Sequence, residues 1–224
     1  SGGALSVSQT VADTIELAEL LRERFDQPRV YLLGHSWGSY LGLLVIRERP
    51  DLFHAFIGTG QMAGNRDEVR KTRAAFAARV GYAMTGDDLG EDELFALGGE
   101  LYGETSFWPI LSTGLLAPEY TLFDALNVGK GASRVEREMQ HDVEPLPLEG
   151  EIASFEVPVF FLLGRHDYNT PSSLASIYLE QLEAPMKGTL WFEQSAHFPF
   201  WEEPSRFHES LLWIDRTVTE VTAD

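Results

Sequence analysis

The chain has 224 residues, 44% of them apolar, no cysteine, and 17 Lys and Arg against 35 Asp and Glu, for a formal charge of −18. That length can bury a sizeable core as one domain with an inserted subdomain, and the lack of cysteine excludes disulfides and thiolate chemistry. The acidity repels phosphate backbones and anionic lipid, and no apolar run nears the roughly 18 residues of a membrane span, so the expectation is a cytoplasmic protein with no nucleic-acid or membrane partner.

Val7, Val11, Ile15, Ala18, Leu21 and Phe25 recur at helical spacing, and Gln27-Pro28 closes that helix. The apolar run Val30-Tyr31-Leu32-Leu33 reads as a strand, followed by Gly34-His35-Ser36-Trp37-Gly38 and a helix-like stretch from Ser39 to Arg49. Strand, sharp turn and helix are the setting of a nucleophile elbow. A serine on such a turn holds its hydroxyl clear of the sheet, and glycines two residues to either side admit the neighbouring backbone. Ser36 is therefore the candidate nucleophile. Ala55 to Thr59 reads as the next strand, ending at Gly60-Gln61 with no carboxylate before Asp67.

From about Met62 to Gly150 the pattern turns helical over 66–80, 91–102, 118–127 and 133–141, broken by glycines and prolines. This predicts a helical cap over 62–150, inserted into a core made of 1–61 and 151–224, with Glu144-Pro145-Leu146-Pro147-Leu148 as the return linker. Val159-Phe160-Phe161-Leu162-Leu163 then reads as a buried strand, and the loop after it carries Asp167, the candidate acid. Thr189-Leu190-Trp191-Phe192 is a further short strand, and the loop after it carries His197, the candidate base. Of the six histidines, only His197 lies on the loop after the last strand. Nucleophile, acid and histidine thus fall in that chain order, each where a strand ends, at the carboxyl edge where open parallel sheets place their sites.

On these residues the chain resembles the α/β-hydrolase superfamily, and within it the proline iminopeptidase-like branch. The resemblance is carried by Gly34-His35-Ser36-Trp37-Gly38-Ser39, by Gly164-Arg165-His166-Asp167 with Thr170-Pro171, and by Ser195-Ala196-His197-Phe198 with Glu202-Glu203-Pro204. It implies an α/β fold, a mostly parallel sheet flanked by helices with an inserted helical cap, and a Ser36–His197–Asp167 triad. The implied activity is hydrolysis of an ester or amide bond of a small molecule or short peptide through an acyl-enzyme, with no cofactor. The backbone N–H of Trp37, next after the nucleophile, is one oxyanion-hole donor. In that family the second donor comes from strand-bearing chain ahead of the elbow, a pattern the sequence does not show. A preceding segment or a partner chain is therefore expected to complete the sheet beside Val30 to Leu33 and to supply that donor.

Weaker signals bear on the substrate. Phe107 and Trp108 are candidates for lining an apolar pocket, against packing within the cap, and Glu202 is a candidate carboxylate for a substrate amine, against a helix N-terminal role. Pairs such as His141-Asp142 lack a third ligand at metal-site spacing, so no metal is implied. Two other readings stay open: a ligand-binding homologue that turns over slowly or not at all, since fold does not fix function, and a fragment of a split hydrolase that is inactive alone.

Overall fold

The computed structural model describes residues 6–104 and 154–222, together with isolated positions between 106 and 131. Helix α1 (Val7–Phe25) begins where the Ser6 side chain accepts the Gln9 N–H. It ends at Asp26, whose left-handed backbone (φ 49°) turns the chain before Pro28 is reached. Strand β1 (Val30–His35), helix α2 (Trp37–Glu48) and strand β2 (Phe53–Thr59) follow. Helices α3 (Arg66–Arg79) and α4 (Glu91–Ala96) come next; after residues 105–153, strand β3 (Val159–Gly164), helix α5 (Ser172–Gln181) and strand β4 (Lys187–Phe192) continue the core. A short helix α6 (Pro199–Glu202) and the long α7 (Pro204–Thr222) close the described chain.

The four strands form one sheet in the order β1-β2-β3-β4, every pair parallel. This is the α/β class with a parallel sheet expected from the sequence. Alternation along the strands divides the core in two. Phe56, Val159, Phe161 and Leu163 face one side, where α1 contributes Val11, Ile15 and Ala18, α2 contributes Leu43, Val45 and Ile46, and α5 contributes Leu174, Ala175, Tyr178 and Leu179. Ala55, Ile57, Phe160, Leu162 and Phe192 face the other, against Phe207, Ile214 and Val218 of α7. A strand apolar at every position, such as β3, is what burial on both faces requires. β1 lies at the outer edge, where Leu33 is exposed and no strand pairs on its far side among the described residues.

One expectation is corrected and others fall on residues the structure does not describe. The helix predicted over 91–102 stops at Ala96, because Gly98 takes φ 72° and the Gly99 N–H returns to the Leu94 carbonyl, so residues 99–102 leave as a separate segment. The predicted helices over 118–127 and 133–141, the return linker, and with them the far part of the cap, lie outside the described residues except for isolated positions. No helix among the described residues is long and apolar enough to cross a membrane.

Phe161 has no exposed surface and sits at the centre of the sheet. Phe161→Ala should destabilise the protein by about 3–5 kcal/mol, through lost transfer energy and an unfilled cavity, as read by urea unfolding.

Candidate active site

Each of the three candidate residues lies just past a strand end on the same edge of the sheet. Ser36 joins β1 to α2 with φ 53° and ψ −123°, a backbone conformation that strains a residue bearing a Cβ, by about 1–3 kcal/mol, and that is typical of functional turns. Its N–H is held by the Thr59 carbonyl at 3.0 Å, while its own carbonyl accepts the Ser39 hydroxyl at 2.6 Å. The two flanking glycines are not equivalent. A Cβ on Gly34 would lie 2.3 Å from the Gly38 carbonyl oxygen, whereas a Cβ on Gly38 meets nothing within 4 Å. Only the first glycine is required by packing, which corrects the symmetric expectation. Trp37, next after Ser36, is the first residue of α2, so its N–H is one of the helix N-terminal donors with no intrahelical acceptor.

Asp167 and His197 meet on neighbouring loops, those after β3 and β4. His197 Nδ1 and Asp167 Oδ2 are 2.9 Å apart, and both residues are about 2% exposed. Asp167 also accepts the Thr170 N–H and the Thr170 hydroxyl, each at 2.9 Å, so it caps its own turn while facing the histidine. Burial by itself pulls the His197 pKa down. The charge and hydrogen bond of Asp167, reinforced by Glu100 and Glu202, outweigh it and hold the imidazole above the usual histidine value.

Strand order poses a geometric problem: Ser36 follows β1 and His197 follows β4, which lie three strand spacings, or about 14 Å, apart. The loop after β4 solves it by crossing back over the intervening strand ends. It passes the end of β3 at Gly164, where a Cβ would stand 1.9 Å from the Ala196 carbonyl oxygen. It passes the end of β2 at Gly60 (φ 50°), where a Cβ would stand 2.7 Å from His197 Cε1. It arrives at β1, where His35 Nε2 lies 2.9 Å from the His197 carbonyl oxygen and the two imidazole rings are 4.7 Å apart.

Carboxylates brace that loop. Glu202 accepts the N–H groups of Ala196 (2.9 Å) and Phe198 (3.2 Å), on either side of the base, and also the N–H of Tyr102. Glu203 accepts the Gln194 N–H at 2.9 Å and the Ser195 hydroxyl at 2.8 Å. Both oxygens of Glu202 are thus already engaged by backbone, the role opposite to amine binding in the sequence reading. Trp108 is 63% exposed, and Phe107 lies outside the described residues.

Nothing in the sequence singled out Glu100; only Gly98-Gly99 ahead of it marks that a helix stops there. It is 4% exposed, its carbonyl accepts the His197 N–H at 3.0 Å, and its Oε1 accepts Asn169 Nδ2 at 3.1 Å. Its Oε2 is buried with no hydrogen-bond partner among the described residues. Burial, with the Asp167 charge adding to it against the opposing pull of His197, pushes its pKa up to about 7. Segment 99–102 therefore touches both loops, since Gly99 accepts the Tyr168 N–H as well. Arg73 of α3 holds the acid loop from the other side, donating to the carbonyls of Tyr168 (2.9 Å) and Asn169 (2.6 Å). Among the described residues no cluster of three or more His, Asp or Glu is disposed to hold a metal ion.

The Alpha/beta hydrolase family matches residues 2–210 of this sequence. A Bacillus subtilis (strain 168) protein named "Probable aminopeptidase YbaC" is 28% identical over 228 residues, spanning 93% of this chain and 72% of that protein. Among solved structures, a thermophilic esterase from Thermogutta terrifontis superposes with a TM-score of 0.54 at 15% identity, over 97% of this chain and 75% of the other. A proline iminopeptidase from Mycobacterium smegmatis superposes with a TM-score of 0.53 at 16% identity, over 94% and 72%.

The crossing of the loop over β3 is tested at Gly164. Gly164→Ala should push the Ala196 carbonyl away and lower hydrolytic turnover by about 10²-fold, the usual effect of a misplacement near 1 Å. Gly38→Ala, in open space, should leave the thermal midpoint unchanged or raised. Calorimetry and an ester-hydrolysis assay of the two variants side by side read the contrast.

Proposed function

Since the chain belongs to the alpha/beta hydrolase family, we propose that it is a serine hydrolase acting through Ser36, His197 and Asp167 on an ester or amide bond of a small molecule or short peptide. The observation that carries this reading is the buried 2.9 Å contact of Asp167 with His197 Nδ1, which engages that ring nitrogen and leaves Nε2 without a hydrogen bond among the described residues, available to act as the base. In the proposed cycle His197 Nε2 takes the Ser36 hydroxyl proton as the oxygen attacks the carbonyl carbon, then returns it to the leaving group. Asp167 holds the Nδ1–H tautomer and stabilises the imidazolium that forms. The Trp37 N–H donates to the developing oxyanion, a contribution commonly worth about 10²–10³ in turnover. Water then attacks the acyl-enzyme, activated by the same histidine.

Glu100 favours an amine-bearing substrate over a neutral one. A carboxylate that burial holds near a pKa of 7, with one oxygen unpartnered among the described residues, gains most from a cation brought against it. It lies next to the Asp167–His197 pair, as its carbonyl contact with the His197 N–H requires. An aminoacyl or short-peptide substrate carries such a cation at its free N-terminus. Within the proposal, the enzyme is therefore an aminopeptidase and its neutral-ester activity is incidental. The name of the Bacillus relative agrees with this reading.

Three measurements test the proposal. A fluorophosphonate probe should label the wild type on Ser36, and Ser36→Ala should lose both labelling and turnover, the latter by about 10⁴-fold or more; retention of a tenth of wild-type turnover would remove Ser36 from the nucleophile role. Because His197 acts when neutral and its pKa is raised above 6.5, kcat/KM should fall on the acid side with a midpoint above pH 6.5.

The third measurement concerns Glu100→Gln, assayed on aminoacyl naphthylamides and on p-nitrophenyl acyl esters in parallel. Loss of one charge-assisted contact should lower kcat/KM on the amine-bearing series by about 10–100-fold, and leave the neutral esters within about threefold. Equal losses on both series would make Glu100 a structural group and favour an esterase.

A further inference from the structure

His35 is the residue next to the proposed nucleophile, and the chemistry above gives it no task. Its ring is packed on three sides: 4.7 Å from His197, 4.9 Å from Phe198 and, edge-on, 5.1 Å from Phe200. A phenylalanine would satisfy that packing equally well. What a phenylalanine lacks is the polar edge, which is directed at one atom, the His197 carbonyl oxygen, 2.9 Å from His35 Nε2. A carbonyl oxygen only accepts, so Nε2 carries the hydrogen and donates it.

The need for such a bond follows from the strand order. His197 has travelled from the end of β4 to the end of β1, and the carboxylates of Glu202 and Glu203 hold its loop only to segments beyond β3, α6 and residue 102. None of those contacts refers the base to Ser36. The His35 bond does, because its donor is the side chain of the residue adjoining the serine. A misplacement of 1 Å between base and nucleophile costs about 10² in rate, so a contact that sets their separation acts directly on the reaction.

We propose that His35 is a positioning residue, whose Nε2–H binds the backbone carbonyl of His197 and so locks the base at a fixed offset from Ser36. The inference rests on the assignment of Ser36 and His197 as nucleophile and base. The bond requires a ring that donates from Nε2, which the neutral Nε2–H tautomer supplies. Burial, and then the neighbouring His197, hold the His35 pKa down at about 4, so the neutral form prevails at neutral pH.

The test uses His35→Phe, which keeps the ring and loses the donor; His35→Gln, whose Nε2 reaches the same place; and His35→Asn, which is too short. His35→Phe should lower kcat and the rate of fluorophosphonate labelling by about 10–100-fold, with KM within about threefold and a thermal midpoint near that of the wild type. His35→Gln should return kcat to within about threefold of wild type, and His35→Asn should not. If His35→Phe fails to fold, the Gln and Asn pair carries the same comparison. In both wild type and Ser36→Ala, long-range ¹H–¹⁵N spectra at pH 7 should show His35 neutral and protonated on Nε2, a readout that needs no catalysis. Wild-type kcat in His35→Phe, equal kcat in the Gln and Asn variants, a loss confined to KM, or a proton on Nδ1 would each overturn the proposal. Wild-type turnover in Ser36→Ala would instead remove the nucleophile assignment on which it rests, and is read in its own variant.

Discussion

The contact between Asp167 and His197 governs how the carboxyl edge of this sheet is built. Placing a carboxylate and an imidazole together at about 2% exposure is tolerable only if each finds hydrogen-bonding partners, because an uncompensated charge there costs several kcal/mol. Asp167 has three donors to its carboxylate, two of them from Thr170. His197 is held at the ring by Asp167 and along its backbone by Glu100 and His35. Thr170, Glu100 and His35 supply those partners.

The histidine works in an unusually acidic neighbourhood. Asp167, Glu100 and Glu202 all act on it, and together they overcome the desolvation that would otherwise make it a weak base. Glu100 and Glu202, with Glu203, also have structural duties. Glu202 and Glu203 take backbone amides and a hydroxyl of the base loop, and Glu100 takes an asparagine amide of the acid loop. Distributing one electrostatic effect over several braced groups leaves the field at the ring insensitive to small motions of any one of them.

The described residues between β2 and β3 are joined to the carboxyl edge of the sheet. Residues 99–102 bond to both the acid loop and the base loop, and the Phe76 ring of α3 stacks on Tyr168 at 3.8 Å, beside the acid. A shift of residues 99–102 is therefore transmitted to both members of the Asp167–His197 pair through backbone hydrogen bonds.

The sequence by itself determined what depends on near neighbours along the chain. The periodicity of Val11, Ile15 and Ala18, the unbroken apolar run of β3 and the glycine before Ser36 report burial patterns and steric limits within a few residues, and each of those elements is found where it was expected. The loop positions of Ser36, Asp167 and His197 were legible for the same reason. Only the tertiary structure decided which groups those loops would meet. The strand order sets the distance that His197 must cross, and so turns Gly60, Gly164 and His35 from turn residues into the track of the crossing loop. The end of α4 at Ala96 delivers Glu100 to a buried position 97 residues away in sequence from the histidine whose amide it binds. Such contacts join residues far apart in the chain, and local patterning carries no record of them, because the energy that selects them exists only after the sheet has assembled.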